Sequence, residues 1–283
     1  MGKGKTKYLL ALLPFLFLVF MYELLPLFTV VMDSVKSDTT GGFTWENYQT
    51  IFSKLLYQKA LINSLKISLK SSLIGIAVAF LGAQAAHAAQ GKLQSLFMAV
   101  LNMVSNFAGV PLAFAYMILL GNAGVLTQIG RQYGIAALAD FDLYTTSGIT
   151  MVYVYFQIPL ATLLLFPAFY GIQKEWKEAA SLLGANKLQF WTRVGTPVLM
   201  PQIMNTISIL FANALAAYAT VYALMMSSMA LLPVQISGCF VGESKMQKGL
   251  GGALSVVMML IMVVAILVFH AIGNHFQKGE RKA

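Results

Sequence analysis

The stretch Glu178-Ala179-Ala180-Ser181-Leu182-Leu183-Gly184, closed by Pro197, is one of the few polar segments in a very hydrophobic chain. It lies between two apolar runs, 148–172 and 202–229, each long enough to cross a bilayer, which takes about 20 helical residues. A protein that holds a short helix of small residues on one side of a membrane is expected to offer a docking surface there.

The whole connecting segment, 173–201, is predicted to form two short amphipathic helices. Residues 173–183 are rich in strong helix formers, and Gly184 is placed to end that helix. A second helix is predicted over 186–194, and Pro197 is expected to stop it before the next span. From the residues alone, the segment fits a docking surface for a partner and an interfacial connector on the lipid headgroups equally well.

Composition places the chain among membrane proteins. Its 283 residues are 58% hydrophobic and only 10% charged, whereas soluble proteins have about 25% charged residues. The net charge of +9 would indicate a nucleic-acid partner in a soluble protein, but here we attribute it to the basic residues of cytoplasmic loops. The single cysteine, Cys239, excludes an internal disulfide framework.

Six apolar stretches are long enough to be transmembrane helices. They cover roughly 8–32, 61–86, 95–121, 148–172, 202–229 and 251–272. The first is too long for the apolar core of a signal peptide, so we expect an uncleaved span. Because no connecting segment is large enough to fold alone, the sequence predicts a single transmembrane domain over 1–283.

The distribution of Lys and Arg predicts the orientation, because these residues are enriched in cytoplasmic loops. With a cytoplasmic N-terminus, most of them fall on the inner side, namely Lys3, Lys5, Lys7, Lys92, Lys174, Lys177, Lys187, Arg193, Lys278, Arg281 and Lys282. The outer side then holds Lys36, Lys54, Lys59, Arg131, Lys245 and Lys248. The sequence therefore predicts that both termini and the 173–201 segment are cytoplasmic.

Polar residues inside the predicted spans are the candidates for a substrate pathway. They are Lys66, Lys70, Asn106, Gln157, Asn213 and Tyr218. The two lysines share one helix face, and they either extend to the outer interface or line an outer vestibule that favours an anion. Amides need hydrogen-bond partners in a bilayer, so each of them either joins helices or contacts the substrate.

The 173–201 segment resembles the signature of permease subunits of bacterial type I ABC importers, the binding-protein-dependent family. That signature is Glu-Ala-Ala, three residues, Gly, nine residues and Ile-x-Leu-Pro, for which this chain supplies Glu178, Ala179, Ala180, Gly184, Val194, Thr196 and Pro197. Val replaces Ile and Thr replaces Leu, while the spacing is kept. The segments 43–48 and 63–65 also resemble parts of these permeases. The resemblance covers essentially the whole chain and is greatest to the branch that serves polyamines, iron, thiamine or aminophosphonates.

The resemblance implies an all-α membrane protein with six transmembrane helices and a cytoplasmic coupling-helix loop between spans 4 and 5. It implies that the residues that couple the protein to an ATPase are Glu178, Ala179, Ala180, Gly184 and Pro197. The sequence contains no phosphate-binding Gly-x-x-x-x-Gly-Lys-Ser/Thr motif, no catalytic constellation and no Cys/His metal cluster. ATP and Mg would therefore be bound by a partner, and the chain itself would be a transport subunit without a cofactor.

The implied partners are two ATPase subunits, a second permease or a second copy of this chain, an extracytoplasmic solute-binding protein and the bilayer, with no nucleic acid. The implied location is the bacterial inner membrane, and the implied cargo is a small polar solute, such as a polyamine or an aminophosphonate. The alternative is a secondary transporter or channel without an ATPase. Such a protein would carry an intramembrane acid, for which Glu23 is the candidate, or a pair of broken helices.

Overall fold

The computed structural model describes residues 12–89, 91–226, 228–241 and 246–280. For 277–280 it describes the backbone alone. No β-strand is formed within these ranges, where an isolated antiparallel bridge pairs Lys36 with Phe43. The start of the first predicted span, 8–11, lies outside the described residues. So do several of the basic side chains used to predict the orientation, namely Lys3, Lys5, Lys7, Lys245, Lys278, Arg281 and Lys282.

In the described part of the chain, six helical segments are long and apolar enough to cross a membrane. They are Leu12–Ser34, Leu55–Ala88, Val110–Tyr133, Thr146–Gly171, Lys187–Ala216 and Lys248–Phe276. The expectation of an all-α membrane fold with six spans is confirmed. Helices are the expected solution here, because a helix satisfies its backbone hydrogen bonds within one segment and so leaves few polar groups facing lipid.

The helices are numbered in chain order. The first are α1 (Leu12–Ser34), α2 (Glu46–Ser53), α3 (Leu55–Ala88), α4 (Lys92–Ser105), α5 (Val110–Leu120), α6 (Val125–Tyr133) and α7 (Ala136–Ala139). They are followed by α8 (Thr146–Leu165), α9 (Lys174–Leu182), α10 (Lys187–Phe190), α11 (Thr196–Ala216), α12 (Ala219–Met225), α13 (Leu232–Val241) and α14 (Lys248–Glu280). A 3-10 helix, Phe166–Gly171, follows α8, and a π-helical turn, Trp191–Gly195, joins α10 to α11.

The third predicted span, 95–121, is not a single helix, and that prediction is wrong. The structure instead has α4 and α5, separated by a break at 106–109. Gly109 has a positive φ of 72°, and a proline, Pro111, follows in the first turn of α5. The chain begins a new helix here because this glycine leaves the helical conformation and the proline cannot donate a backbone hydrogen bond to the preceding turn.

The fifth predicted span is also broken, within the range 202–229. Helix α11 ends at Ala216 and α12 starts at Ala219. The segment predicted as a loop, 230–250, contains α13, an apolar helix of 10 residues that is too short to cross a bilayer. Hydrophobicity did not predict these boundaries, because a break changes the backbone hydrogen bonds without changing the composition.

The contacts divide the chain into two compact units. The first comprises 1–58 and 235–260, and the second comprises 59–234 and 261–283. The second unit contains all the predicted pathway residues and the whole 173–201 segment. The prediction of one transmembrane domain over 1–283 stays a prediction.

In the first unit, side chains of the segment after α1 hold the neighbouring backbone. The Asp38 carboxylate accepts hydrogen bonds from the backbone N–H groups of Gly249 and Leu250, at 2.7 and 3.2 Å. An acidic group at a helix N-terminus satisfies free N–H groups and interacts favourably with the helix dipole. The start of α14 is therefore capped by a residue that is more than 200 positions away in sequence.

In the second unit, α8 is the central helix. In the most apolar part of the span that contains α8, 56% of the residues are buried, compared with 39% in the corresponding part of α3. The side chain of Tyr153 belongs to one apolar cluster around α8, and Leu165 belongs to a second cluster nearer the other end of the helix. Because α4 and α11 both pack directly on α8, this helix positions the two segments that are broken.

Small residues allow α3 to approach α8 closely. A Cβ added at Gly75 would lie only 3.2 Å from the Cβ of Gln157. The Gln157 side chain is fully buried, donates to the Ser71 hydroxyl at 2.7 Å and accepts from the Ser72 hydroxyl at 3.4 Å. This is the small-residue and polar packing typical of helix pairs in membranes.

Candidate coupling surface and pathway cavity

Helix α9 carries the Glu178 stretch and ends in a defined turn. Gly184 follows it at φ +80°, a conformation that glycine adopts at no steric cost. The Gly184 N–H donates to the Ser181 carbonyl at 3.0 Å, and the Ala185 N–H donates to the Ala180 carbonyl at 2.9 Å. These are the paired bonds of a Schellman motif. The prediction that Gly184 ends this helix is confirmed.

Helix α9 has an inner and an outer face. Trp176 and Ala180 pack against an apolar cluster of the chain itself, whereas Glu178 and Ala179 are exposed. Residues four apart share a helix face, so Ala180 packs against the same cluster as Trp176. Of the paired alanines expected at a docking surface, Ala179 alone is fully available to a partner.

The end of α9 exposes two leucines. Leu182 and Leu183 are 89% and 88% exposed, the highest values among the large apolar side chains that the structure describes. Apolar surface in water is unfavourable by about 25 cal/mol per Å², so adjacent exposed leucines in a polar segment are candidates for burial against a partner protein or a membrane surface. Neither leucine is among the residues predicted from sequence. The available signal was the pair itself, directly before a helix-ending glycine.

The helix after this turn is held in place at its first residues. The Asn186 and Gln189 side chains each accept the other residue's backbone N–H at 2.8 Å, which forms a reciprocal capping box. The Lys177 ammonium of α9 lies 5.6 Å from the ring centre of Trp191 and 6.0 Å from that of Phe190, within the range of a cation–π contact. The two helices of the 173–201 segment are thus joined by side-chain contacts.

Pro197 does not stop the second helix, so that prediction is wrong. The helical backbone continues over Lys187–Ala216. The π-helical turn before Pro197 is closed by a hydrogen bond from the Thr196 N–H to the Trp191 carbonyl. Pro197 then occupies the first turn of α11, where the missing N–H of a proline costs little. The proline is therefore compatible with one continuous rod.

The breaks at 106–109 and 217–218 meet in the second unit at a cavity of about 410 Å³. Asn213 and Tyr218, both predicted as pathway residues, line it. The other lining residues are not among the six predicted ones, and they are Ser105, Ala108, Gly109, Phe156, Leu160, Ala217, Ala219 and Thr220. The sequence signal for this site was Gly109 followed by Pro111, a pair that breaks helices.

The two breaks are in contact and partly satisfied by the chain itself. A Cβ added at Gly109 would lie 3.8 Å from the Cβ of Ala219. The Tyr153 hydroxyl donates to the Ala217 carbonyl at 2.7 Å, which supplies a partner for a group released at the second break. The rings of Tyr218 and Tyr222 stack with their centres 5.0 Å apart.

The other four predicted pathway residues are not among those that line this cavity. Gln157 is enclosed in the seam between α3 and α8, and its bonds to serines make it a link between helices. Lys66 and Lys70 are exposed on α3, whereas Ile67 between them is buried. The Asn106 amide donates to the Asn102 carbonyl at 2.7 Å, at the end of α4. The structure thus brings together two of the six predicted residues.

Comparison with known families identifies the class of protein. The family model described as "Binding-protein-dependent transport system inner membrane component" matches residues 71–282. The chain belongs to this family. The match includes the Glu178 stretch, the two helix breaks and the cavity between them. Broken helices were expected for an ion-driven transporter. Because this member of a permease family also has them, they do not distinguish an ion-driven transporter from an importer.

Relatives of this permease are named for different substrates. The trehalose transport system permease protein SugB of Mycobacterium tuberculosis (strain CDC 1551 / Oshkosh) is 27% identical over 263 residues, which are 89% of each chain. The spermidine/putrescine transport system permease protein PotB of Escherichia coli (strain K12) is 27% identical over 166 residues, covering 57% of this permease and 58% of the relative. Further relatives are named for sulfate and thiamine. The permease family is therefore shown, while the expected polyamine branch is one of several.

A solved importer has the same fold. A chain in the crystal structure of a bacterial alginate ABC transporter, in complex with an alginate pentasaccharide-bound periplasmic protein, aligns with a TM-score of 0.75. The alignment covers 97% of this permease and 96% of that chain, at 17% identity. Together with the family match, this likeness shows the type I importer permease fold.

Proposed function

We propose that this permease is the membrane subunit of an ATP-driven importer and that α9, with the turn after it, binds a cytoplasmic ATPase. The observation that carries the proposal is the exposure of Leu182 and Leu183 at the end of a helix that is held by the Schellman turn at Gly184. In the complex the two leucines are buried in a groove of the ATPase. Glu178 and Ala179, on the same exposed face, complete the contact.

The partners supply what the chain lacks. Two ATPase subunits bind ATP and Mg, and a second permease, either a homologue or a copy of this chain, forms the other half of the pathway. An extracytoplasmic solute-binding protein delivers the solute. The complex lies in a bacterial inner membrane, with both termini and the 173–201 segment in the cytoplasm.

The rod over Lys187–Ala216 links the coupling surface to the pathway. It has 30 residues and, at 1.5 Å per residue, is about 45 Å long. One end begins three residues after Gly184, and the other ends at the break beside the cavity. When ATP closes the ATPase subunits, displacement of α9 is carried along this rod to the break, and the cavity changes from inward-facing to outward-facing.

The solute passes beside Asn213 and Tyr218. It is a small polar molecule, and the polyamine or aminophosphonate expected from the resemblance remains one candidate. The relatives' names add a disaccharide, sulfate and thiamine as others. Because the solutes in these names differ in charge, the chemistry of the cavity is the better guide to the solute of this permease.

The test of the proposal is co-purification of the ATPase. The tagged permease is purified in a mild detergent from its own membranes, as the wild type and as the double variant Leu182→Ser/Leu183→Ser. Loss of two buried leucines removes about 1.5–3 kcal/mol each, so we expect the amount of ATPase bound to fall at least about tenfold. The matched control is Tyr133→Ser at the end of α6, far in sequence from α9, where the side chain is 71% exposed. This variant is expected to bind the ATPase like the wild type.

Equal recovery of the ATPase with the wild type and the double variant would contradict the docking role of the leucines. Recovery of the wild-type permease as a homo-oligomer, with no ATPase present, would support an ion-driven transporter. In that case the 173–201 segment would be an interfacial connector.

A further inference from the structure

The cavity between the two helix breaks has an uncharged lining. Among the residues that line it, the polar side chains are those of Ser105, Asn213, Tyr218 and Thr220. The rest of the wall is formed by small residues, Leu160 and the ring of Phe156. The Ser105 hydroxyl already donates to the Asn102 carbonyl at 2.9 Å, and Thr220 is only 3% exposed. The lining contains no carboxylate, ammonium or guanidinium group.

We infer that this cavity takes an uncharged, polyhydroxylated solute, of the saccharide or polyol class. The inference rests on the proposed function, since it assumes that solute passes this point. Transfer of a charge from water into a low-dielectric site is unfavourable unless an opposite charge meets it. A polyamine or a sulfate would meet no such charge from this wall, whereas a neutral solute needs only hydrogen-bond partners.

The polar groups match a solute rich in hydroxyl groups. The Ser105 hydroxyl, whose proton is donated to Asn102, still accepts through its lone pairs, and the Asn213 amide both donates and accepts with its two ends. The Asn213 side chain is exposed, so its amide is available to a solute. The breaks at 106–109 and 217–218 add backbone groups outside regular helices, which line binding sites in other broken membrane helices. Such partners suit the alternating donors and acceptors of a sugar.

The aromatic side chains of the lining offer little to a cation. Tyr222 stacks on Tyr218 with an angle of 25° between the rings, so one face of Tyr218 is already covered. Phe156 is only 6% exposed. A cation–π site needs an accessible ring face and gains most from several rings around the cation. These two rings therefore offer a cation little in place of the carboxylate that the lining lacks.

The two lysines predicted as pathway residues do not belong to the lining. Lys66 and Lys70 lie on the exposed face of α3 and are not part of the lining. They remain candidates for an outer vestibule, where a lysine interacts with solutes of many kinds before they reach the cavity.

The test measures which reagents enter the cavity and needs no knowledge of the natural solute. The single cysteine, Cys239, is replaced by serine, and Ser105→Cys or Ala108→Cys is introduced as the reporter. Purified complex in detergent is treated with three methanethiosulfonates that carry a neutral hydroxyethyl, a cationic trimethylammonium-ethyl or an anionic sulfonatoethyl group. The rates are divided by those at which the same reagents react with free 2-mercaptoethanol in solution, which removes differences in their intrinsic reactivity.

After this normalisation, we expect the neutral reagent to modify both reporters at least tenfold faster than either charged reagent. Equal or faster modification by the cationic reagent would overturn the inference in favour of a polyamine-like solute. The same result with the anionic reagent would overturn it in favour of an anion. Absence of modification by all three would show that the cavity is closed to solutes of this size, which also overturns it.

The result is separable from the proposed function. The same preparation is tested for bound ATPase, which depends on Leu182 and Leu183 rather than on the cavity. Charged reagents entering the cavity of a complex that retains the ATPase would remove the inference and leave the importer proposal intact. Loss of the ATPase from the wild-type complex would instead remove the importer proposal.

Discussion

At the scale of single residues, the conformation of Gly184 determines the shape of the coupling surface. A Cβ added at this position would meet no atom within 4 Å. The requirement for glycine is therefore conformational, because φ +80° disfavours any residue with a side chain. The exposed leucines directly before it keep their direction only while this turn is formed.

Substitution of Gly184 tests this requirement. Gly184→Ala is expected to destabilise the turn by about 1–2 kcal/mol and to lower solute uptake and ATPase binding. Gly184→Pro is expected to abolish both, because the φ of proline is held near −65°. Gly184→Asn is the control, since asparagine tolerates the left-handed region. Uptake and ATPase recovery are measured at equal membrane levels, and normal values for Gly184→Pro would contradict the role of the turn.

At the scale of helices, the packing of α3 on α8 positions the broken segments, because α4 and α11 lie on the same central helix. The seam depends on Gly75, because a Cβ added at this residue would lie only 3.2 Å from the Cβ of Gln157. The Gln157 amide adds polar bonds across the seam, each of which is worth about 0.6 kcal/mol on average within membranes.

Substitution of Gly75 tests the importance of this close approach. Gly75→Val is expected to push the helices apart and to cost about 1–3 kcal/mol through overpacking. The matched control is Ala77→Val, which adds bulk on the exposed face of the same helix and is expected to have little effect. Thermal unfolding of the purified protein in detergent measures the difference. Similar midpoints for the two variants would show that the seam tolerates added volume.

At the scale of the whole molecule, the orientation in the membrane decides whether α9 can reach a cytoplasmic ATPase. The excess of Lys and Arg predicts that the 173–201 segment is inside. In the Cys239→Ser background, Leu183→Cys is therefore expected to be protected from a membrane-impermeant maleimide in intact cells and labelled after lysis. Ala137→Cys, an exposed position between the third and fourth spans that is predicted to be outside, is expected to be labelled in intact cells. The reverse pattern would invert the topology and contradict ATPase docking at α9.

The sequence by itself determined the class of protein, the approximate positions of the spans and the coupling segment. These depend on local properties: long apolar runs need a bilayer, helix formers followed by a glycine give a helix and its end, and a spaced signature lies within one stretch of chain. The helix end at Gly184 was predictable for this reason, as its hydrogen bonds join residues at most five positions apart.

Only the tertiary structure decided which residues act together. The helix breaks at 106–109 and 217–218 are more than 100 positions apart, yet they form one cavity because α4 and α11 pack on α8. Gln157 was predicted as a pathway residue, but the approach of Gly75 encloses it in a seam. Ala179 and Ala180 are neighbouring residues of the same type, but Ala180 packs with Trp176 against the apolar cluster whereas Ala179 is exposed. Such distinctions depend on which helix faces meet, and the residues that decide this are distant in the chain.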